Sequence, residues 1–154
     1  MIKKILLTIV AVLVAGAALS IYGMYTAMNN VVKTNETQLR EYVQMDDAAQ
    51  DKYVLEHADE LLEQVAVEAK DSDEKKDANL LLEIKNDPAV QKATTELGRA
   101  ILAAAILHSE PIVKDMNAQL KAKFEQEKSE FTDRLTKYAD ALDAAEKQFV
   151  TGKQ

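Results

Sequence analysis

His57 and His108 are the only histidines in the chain, and there is no cysteine. A carboxylate bundle that holds metal ions needs Glu-x-x-His, which sets both ligands on one helix face. Val54 stands three residues before His57 and Ala105 three before His108, so the motif is absent and no metal is expected. Both histidines read as surface or helix-end residues, and a partial positive charge on His108 suits the end of an apolar helix. Without Cys there are no disulfides, iron–sulfur clusters or thiol nucleophiles. Close carboxylates do occur: Asp46 with Asp47, Glu60 with Glu63, and Glu125 with Glu127. In a chain with 26 acidic residues such pairs arise freely on solvated helix faces. The glycines Gly16, Gly23, Gly98 and Gly152 are scattered, so no loop cradles phosphate, and no G-x-S-x-G elbow is present. The chemistry-bearing residues therefore point to no enzyme and no cofactor.

The elements that carry these residues are helical. The chain has 154 residues, 47% hydrophobic and 29% charged, with 4 Gly, 2 Pro and no Trp. So little turn chemistry argues against an all-β fold. The formal charge is −7; phosphate binding needs a basic face, and no nucleic-acid partner is expected.

The N-terminus is the strongest signal. Ile5 to Met28 is almost wholly apolar or small, with Ile5, Leu6, Leu7, Ile9, Val10, Val12, Leu13, Val14, Leu19 and Ile21 as its greasy body. As a helix it reaches about 36 Å, against a hydrocarbon core of about 30 Å. Lys3 and Lys4 precede it, and no basic residue follows until Lys33. Retention of positive charge inside places the N-terminus in the cytoplasm and the body outside. Tyr22 and Tyr25 suit the far headgroup layer. A cleaved secretory signal is the other reading, because Lys3-Lys4, Ile5–Val14 and Ala15-Gly16-Ala17 have its three-part form. Against it, cleavage there leaves a start at Ala18-Leu19-Ser20-Ile21-Tyr22, an exposed apolar end. Gly16 and Gly23 with Ala27 share one face, which suits either a helix contact in the membrane or a lipid-facing surface.

The body reads as a series of amphipathic helices. From Asn29 to Lys70, Val32, Leu39, Val43, Tyr53, Leu61, Leu62, Val65 and Ala69 recur at helical spacing with no Pro or Gly between them. The anchor is expected to run into this first helix. The charge cluster Asp71–Asp77 reads as a break, Ala78–Lys85 as a short helix, and Asp87-Pro88 as an N-cap followed by a favoured first position. Pro88–Leu107 is a third helix, whose end from Ala100 to Leu107 is apolar all round and too short to span, so it reads as a buried centre. Ser109 is placed to cap a last helix from Pro111 to Phe149. In that helix Phe131, Leu135, Tyr138, Leu142, Ala145 and Phe149 step by four and three, a coiled-coil-like seam, while Glu127 interrupts the apolar pattern. The expected fold is all-α: a transmembrane helix continuing into an antiparallel three- or four-helix bundle with long first and last helices. The expected divisions are a basic end (1–4), the anchor (5–28), an extracytoplasmic bundle (29–150) and a tail (151–154).

The order of these elements resembles the LemA family of membrane-anchored helical proteins. Met28-Asn29-Asn30-Val31-Val32 occupies the opening of that family's Y-N-x-L-V motif, with Glu36 at its acid, Tyr42 at its Trp, Met45 at the next apolar position and Gln50 at its Gln. Val65-Ala66-Val67-Glu68-Ala69-Lys70 looks like V-T-E-A-R, and Leu97-Gly98-Arg99 matches L-G-R. Pro111, Lys114 and Asn117 are similar to Y-P-x-L-K-A-N. Glu130-Phe131, Arg134, Tyr138 and Asp140-Ala141-Leu142 resemble the last helix. The R-R-x-D-L-I-P-N-L-V block is replaced by Asp51-Lys52-Tyr53-Val54-Leu55. The resemblance implies a four-helix bundle on one anchor, facing out of the cytoplasm, with a non-enzymatic role in the envelope.

The expected function follows: a structural or interaction protein of a prokaryotic envelope, anchored in the cytoplasmic membrane. Its partner is a second copy or another envelope protein. The seam of Phe131, Leu135, Tyr138, Leu142 and Phe149 is either that partner surface or intramolecular core. A periplasmic four-helix sensory module and a cleaved secreted bundle are the alternatives; a sensor of this kind signals through a second span, and Ala100–Leu107 is too short to be one.

Overall fold

The structure is a computed structural model that describes residues 36–152, the side chains of 61, 64, 65 and 68 excepted. The anchor segment 5–28, Lys3, Lys4 and the last two residues of the tail lie outside the described residues. All regular structure among the described residues is α-helical. The helices are α1 (36–44), α2 (Asp47–Glu68), α3 (Ser72–Ile84), α4 (Pro88–Leu107), α5 (Glu110–Lys114), α6 (Ala118–Ser129) and α7 (Phe131–Gly152). The two longest, α2 and α7, have 22 residues each. None of the described helices is long and apolar enough to cross a membrane.

Side-chain caps set most of the boundaries. Asp87 Oδ1 accepts from the backbone N–H of Ala89 at 2.9 Å and of Val90 at 3.2 Å, and Pro88 fills the first turn of α4. Those N–H groups have no intrahelical acceptor, so the carboxylate replaces water there. Asp71 caps α3 in the same way, accepting from Glu74 N–H at 2.7 Å.

Several boundaries differ from the sequence expectation. The charge cluster after Asp71 is the first turns of α3 rather than a break, because Asp73 and Glu74 suit the positive end of a helix. The unbroken pattern from Asn29 to Lys70 is interrupted at Met45 and Asp46, where the Asp46 carboxylate accepts from Ala49 N–H at 2.8 Å and starts α2. The last helix is in three pieces. Asn117 caps α6 by accepting from Leu120 N–H at 2.7 Å. At Glu130 the ladder tightens, with Glu130 N–H bonded to the Glu127 carbonyl at 3.3 Å and the Ser129 hydroxyl to the Gln126 carbonyl at 2.7 Å, a local bond that competes with the helix. Finally, Ser109 stands at the start of α5 but makes no capping bond; its Oγ is buried without a partner among the described residues.

The central element is α4, packed against α2, α6 and α7, while α3 lies against α2 and α7. Arg134 of α7 meets Glu96, and Tyr138, one turn later, faces Thr94, so α4 and α7 run antiparallel. Asp51 of α2 meets Arg99 of α4, and Asp59, two turns on, meets Lys85 in the turn that leads into α4, so α2 is antiparallel to α4 as well. Two apolar clusters lie along α4. One gathers Val90, Ala93 and Leu97 with Leu81 and Ile84 of α3 and Tyr138, Leu142 and Ala145 of α7. The other gathers Ala103 and Ile106 with Leu39, Tyr42 and Val43 of α1, Val54, Ile112 and Phe124. Ala100, Ala103 and Ile106 are fully enclosed. Each large side chain taken from water in this way contributes about 2 kcal/mol, and the alanines let neighbouring helices come close.

Candidate functional site

Between the two clusters, α4 carries Gly98 and Arg99. A Cβ added to Gly98 would run into the Val54 side chain of α2, so glycine is what lets these helices meet here. The close approach brings Arg99 over the first turns of α2. Its guanidinium donates to Asp51 at 3.1 Å, to Asp47 at 3.0 Å and to Gln50 Oε1 at 3.3 Å. It also pairs with Glu127 of α6 at 3.4 Å. The other oxygen of Glu127 accepts from Arg134 of α7 at 2.5 Å. Arg134 further binds Glu130 at 2.7 Å and the Glu96 carbonyl at 2.8 Å. Lys123 joins Asp47 at 2.8 Å. Arg99, Glu127 and Arg134 are only 15%, 15% and 12% exposed at the side chain. Four helices, α2, α4, α6 and α7, are tied by this one network.

Its electrostatics are self-contained. Burial works against the Arg99 charge, but Glu127, Tyr42, Asp51 and Asp47 outweigh it and hold the guanidinium above its ordinary value. Arg134 is likewise penalised by burial and raised by Glu127 and Glu130. Lys123 and Arg99 hold the Asp47 carboxyl below the usual range, and Gln126 and Arg134 do so for Glu130. Arg99, Arg134 and Lys123 thus face the carboxylates of Asp47, Asp51, Glu127 and Glu130, leaving no surplus positive charge to attract an anion. Guanidinium groups stay protonated, so these two cations pass no proton. A desolvated ion pair is costly to break and adds little over apolar packing.

Beside the network, Tyr42 is enclosed, with its ring 5.3 Å from Tyr53 and 6.4 Å from Phe124. Burial pushes its hydroxyl well above the ordinary value. The Tyr42 carbonyl accepts from Gln50 Nε2 at 3.1 Å, and Gln50 is in turn held by Arg99.

The residues singled out by sequence fall as follows. Tyr138, Leu142 and Ala145 are buried in the first cluster, with Phe131, Leu135 and Phe149 partly buried against it; the seam faces α3 and α4. His57 stacks on Tyr53, with ring centroids 4.0 Å apart, and its Nδ1 bonds the Tyr53 carbonyl. His108 ends α4. Of the carboxylate pairs, Glu60, Glu63 and Glu125 are exposed. Asp46 caps α2, Asp47 pairs with cations, and Glu127 is the bridging acid rather than a solvated one. The interruption of the seam at Glu127 was its visible signal; Arg99 and Arg134 were visible only through Leu97-Gly98-Arg99 and the last-helix resemblance. Among the described residues no group of three His, Asp or Glu side chains is placed to hold a metal ion. No protein-family model, no curated protein and no solved structure matches the chain.

Proposed function

We propose that this protein is a LemA-like, membrane-anchored, non-enzymatic helical bundle that acts as a structural or interaction protein of a prokaryotic envelope, associating with itself or with another envelope protein. The observation that carries the reading is the joining of an apolar run, Ile5 to Met28 behind Lys3 and Lys4, to an acidic helical body. With both lysines retained inside, the body outside carries −9, two positive charges fewer than the −7 of the whole chain, which keeps it off anionic headgroups. Two features favour contact over reaction. The best-enclosed cations, Arg99 and Arg134, are committed to the chain's own carboxylates. The L-G-R stretch of the family resemblance serves helix packing through Gly98 and helix pairing through Arg99.

Membrane fractionation followed by N-terminal sequencing tests the reading. An integral membrane species that keeps Lys3 and Lys4 is expected. A soluble exported species beginning near Ala18 would replace it with the second reading, a secreted bundle, which the Ala15-Gly16-Ala17 stretch favours. A protein that stays in the cytosol would overturn both.

A further inference from the structure

The break at Met45 and Asp46 contains neither glycine nor proline. It is held open by substitutes for main-chain bonds. The Tyr42 carbonyl takes Met45 N–H at 3.1 Å and the Gln50 side chain at 3.1 Å. Ala49 N–H donates to the Asp46 carboxylate at 2.8 Å. In a straight helix, residues 46–49 would bond the carbonyls of residues 42–45 instead, as the sequence pattern from Asn29 to Lys70 favours. What opposes straightening is tertiary: Leu39, Tyr42 and Val43 are 2%, 1% and 7% exposed, seated on Val54, Ile106 and Phe124. Arg40 adds a latch to Asp115 at 2.5 Å.

If the hinge straightens, the seat is left empty and three large apolar side chains leave it. The segment shaped for that seat is the same segment of a second copy. We propose that α1 exchanges between two copies of this chain, each α1–α2 hinge straightening and each α1 filling the other copy's groove. The apolar side-chain contacts of α1 are then kept, the Met45 and Gln50 bonds to the Tyr42 carbonyl give way to straight-helix main-chain bonds at two hinges, and the reciprocal exchange closes into a dimer. This inference rests on the self-association in the proposed function and names its mode.

The chain has no cysteine, so cross-linking reads the exchange directly. Full-length Arg40→Cys and Asp115→Cys copies with different tags are co-expressed, solubilised in detergent and treated with a short bis-maleimide. Size is measured in parallel by light scattering. Exchange predicts a cross-linked dimer joining the two tags. Asp46→Ala should raise the dimer constant about fivefold per hinge, the worth of a lost cap. Ala48→Pro should lower it, since proline is tolerated in the first turn of α2 but breaks a straight helix. If the protein is dimeric by size, but only the Arg40→Cys/Asp115→Cys double variant cross-links, and within one chain, the exchange is overturned while self-association stands. A monomer at all concentrations overturns both.

Discussion

Gly98 of α4 lies against the side chain of Val54 on α2 so closely that no methyl group fits between them. Val54 is buried and branched at Cβ, so it has little rotamer freedom with which to yield. Gly98→Ala should therefore destabilise the protein by about 1–3 kcal/mol, the cost of overpacking, although alanine is the better helix former. Chemical denaturation checks this. In a double-mutant cycle, Val54→Ala should absorb most of the penalty, and simple additivity would show that the two side chains do not meet.

The Arg99–Glu127–Arg134 bridge predicts an asymmetry. Glu127→Ala takes from two poorly solvated guanidiniums the acid they share, leaving Arg99 to Asp47 and Asp51 and Arg134 to Glu130, and should cost about 3 kcal/mol. Replacing Arg99, Glu127 and Arg134 together by Met, Leu and Met should cost far less, or stabilise, because paired burial brings little net gain. Urea unfolding of the wild type and these two variants measures both. A triple variant as unstable as Glu127→Ala would show that the network supplies stability in its own right.

Acid should loosen the network from its rim. Asp47 and Glu130 have folded-state pKa values below their ordinary 3.8 and 4.5. Their contribution is complete above those ordinary values and is lost as pH falls through the folded ones. Asp47 is exposed and Glu130 half-open to solvent, so screening keeps the contribution small. Melting temperature followed from about pH 7 to pH 2 should fall on the acid side. Asp47→Asn should lower it near neutrality and flatten the acid limb. An unchanged acid limb in Asp47→Asn would remove Asp47 from the network.

Much of this architecture is written locally. Asp87-Pro88 announces its cap and first turn, and the apolar end of α4 announces a buried centre. The breaks near Asp46 and Asn117 were not legible, because each is marked along the chain only by one short polar side chain of a type that also stands within helices, and the burial of Leu39, Tyr42 and Val43 that holds the first break is tertiary. Asp71–Asp77 misleads for a related reason: acidic residues mark both a solvated loop and the favourable end of a helix. Glu127 is visible as an interruption of an apolar seam. Its partners come from α4 and α7, far apart along the chain, and only the folded arrangement brings them to one acid.

The central proposal is that a lipid-spanning segment holds this bundle on the outer side of the cytoplasmic membrane. Protease added to intact spheroplasts tests it most directly, with an antibody against residues 131–150 reading the body. The account predicts that the body is digested from outside while a short N-terminal fragment stays with the membrane. A body protected until the spheroplasts are lysed, or recovered whole in the cytosolic fraction, would contradict it.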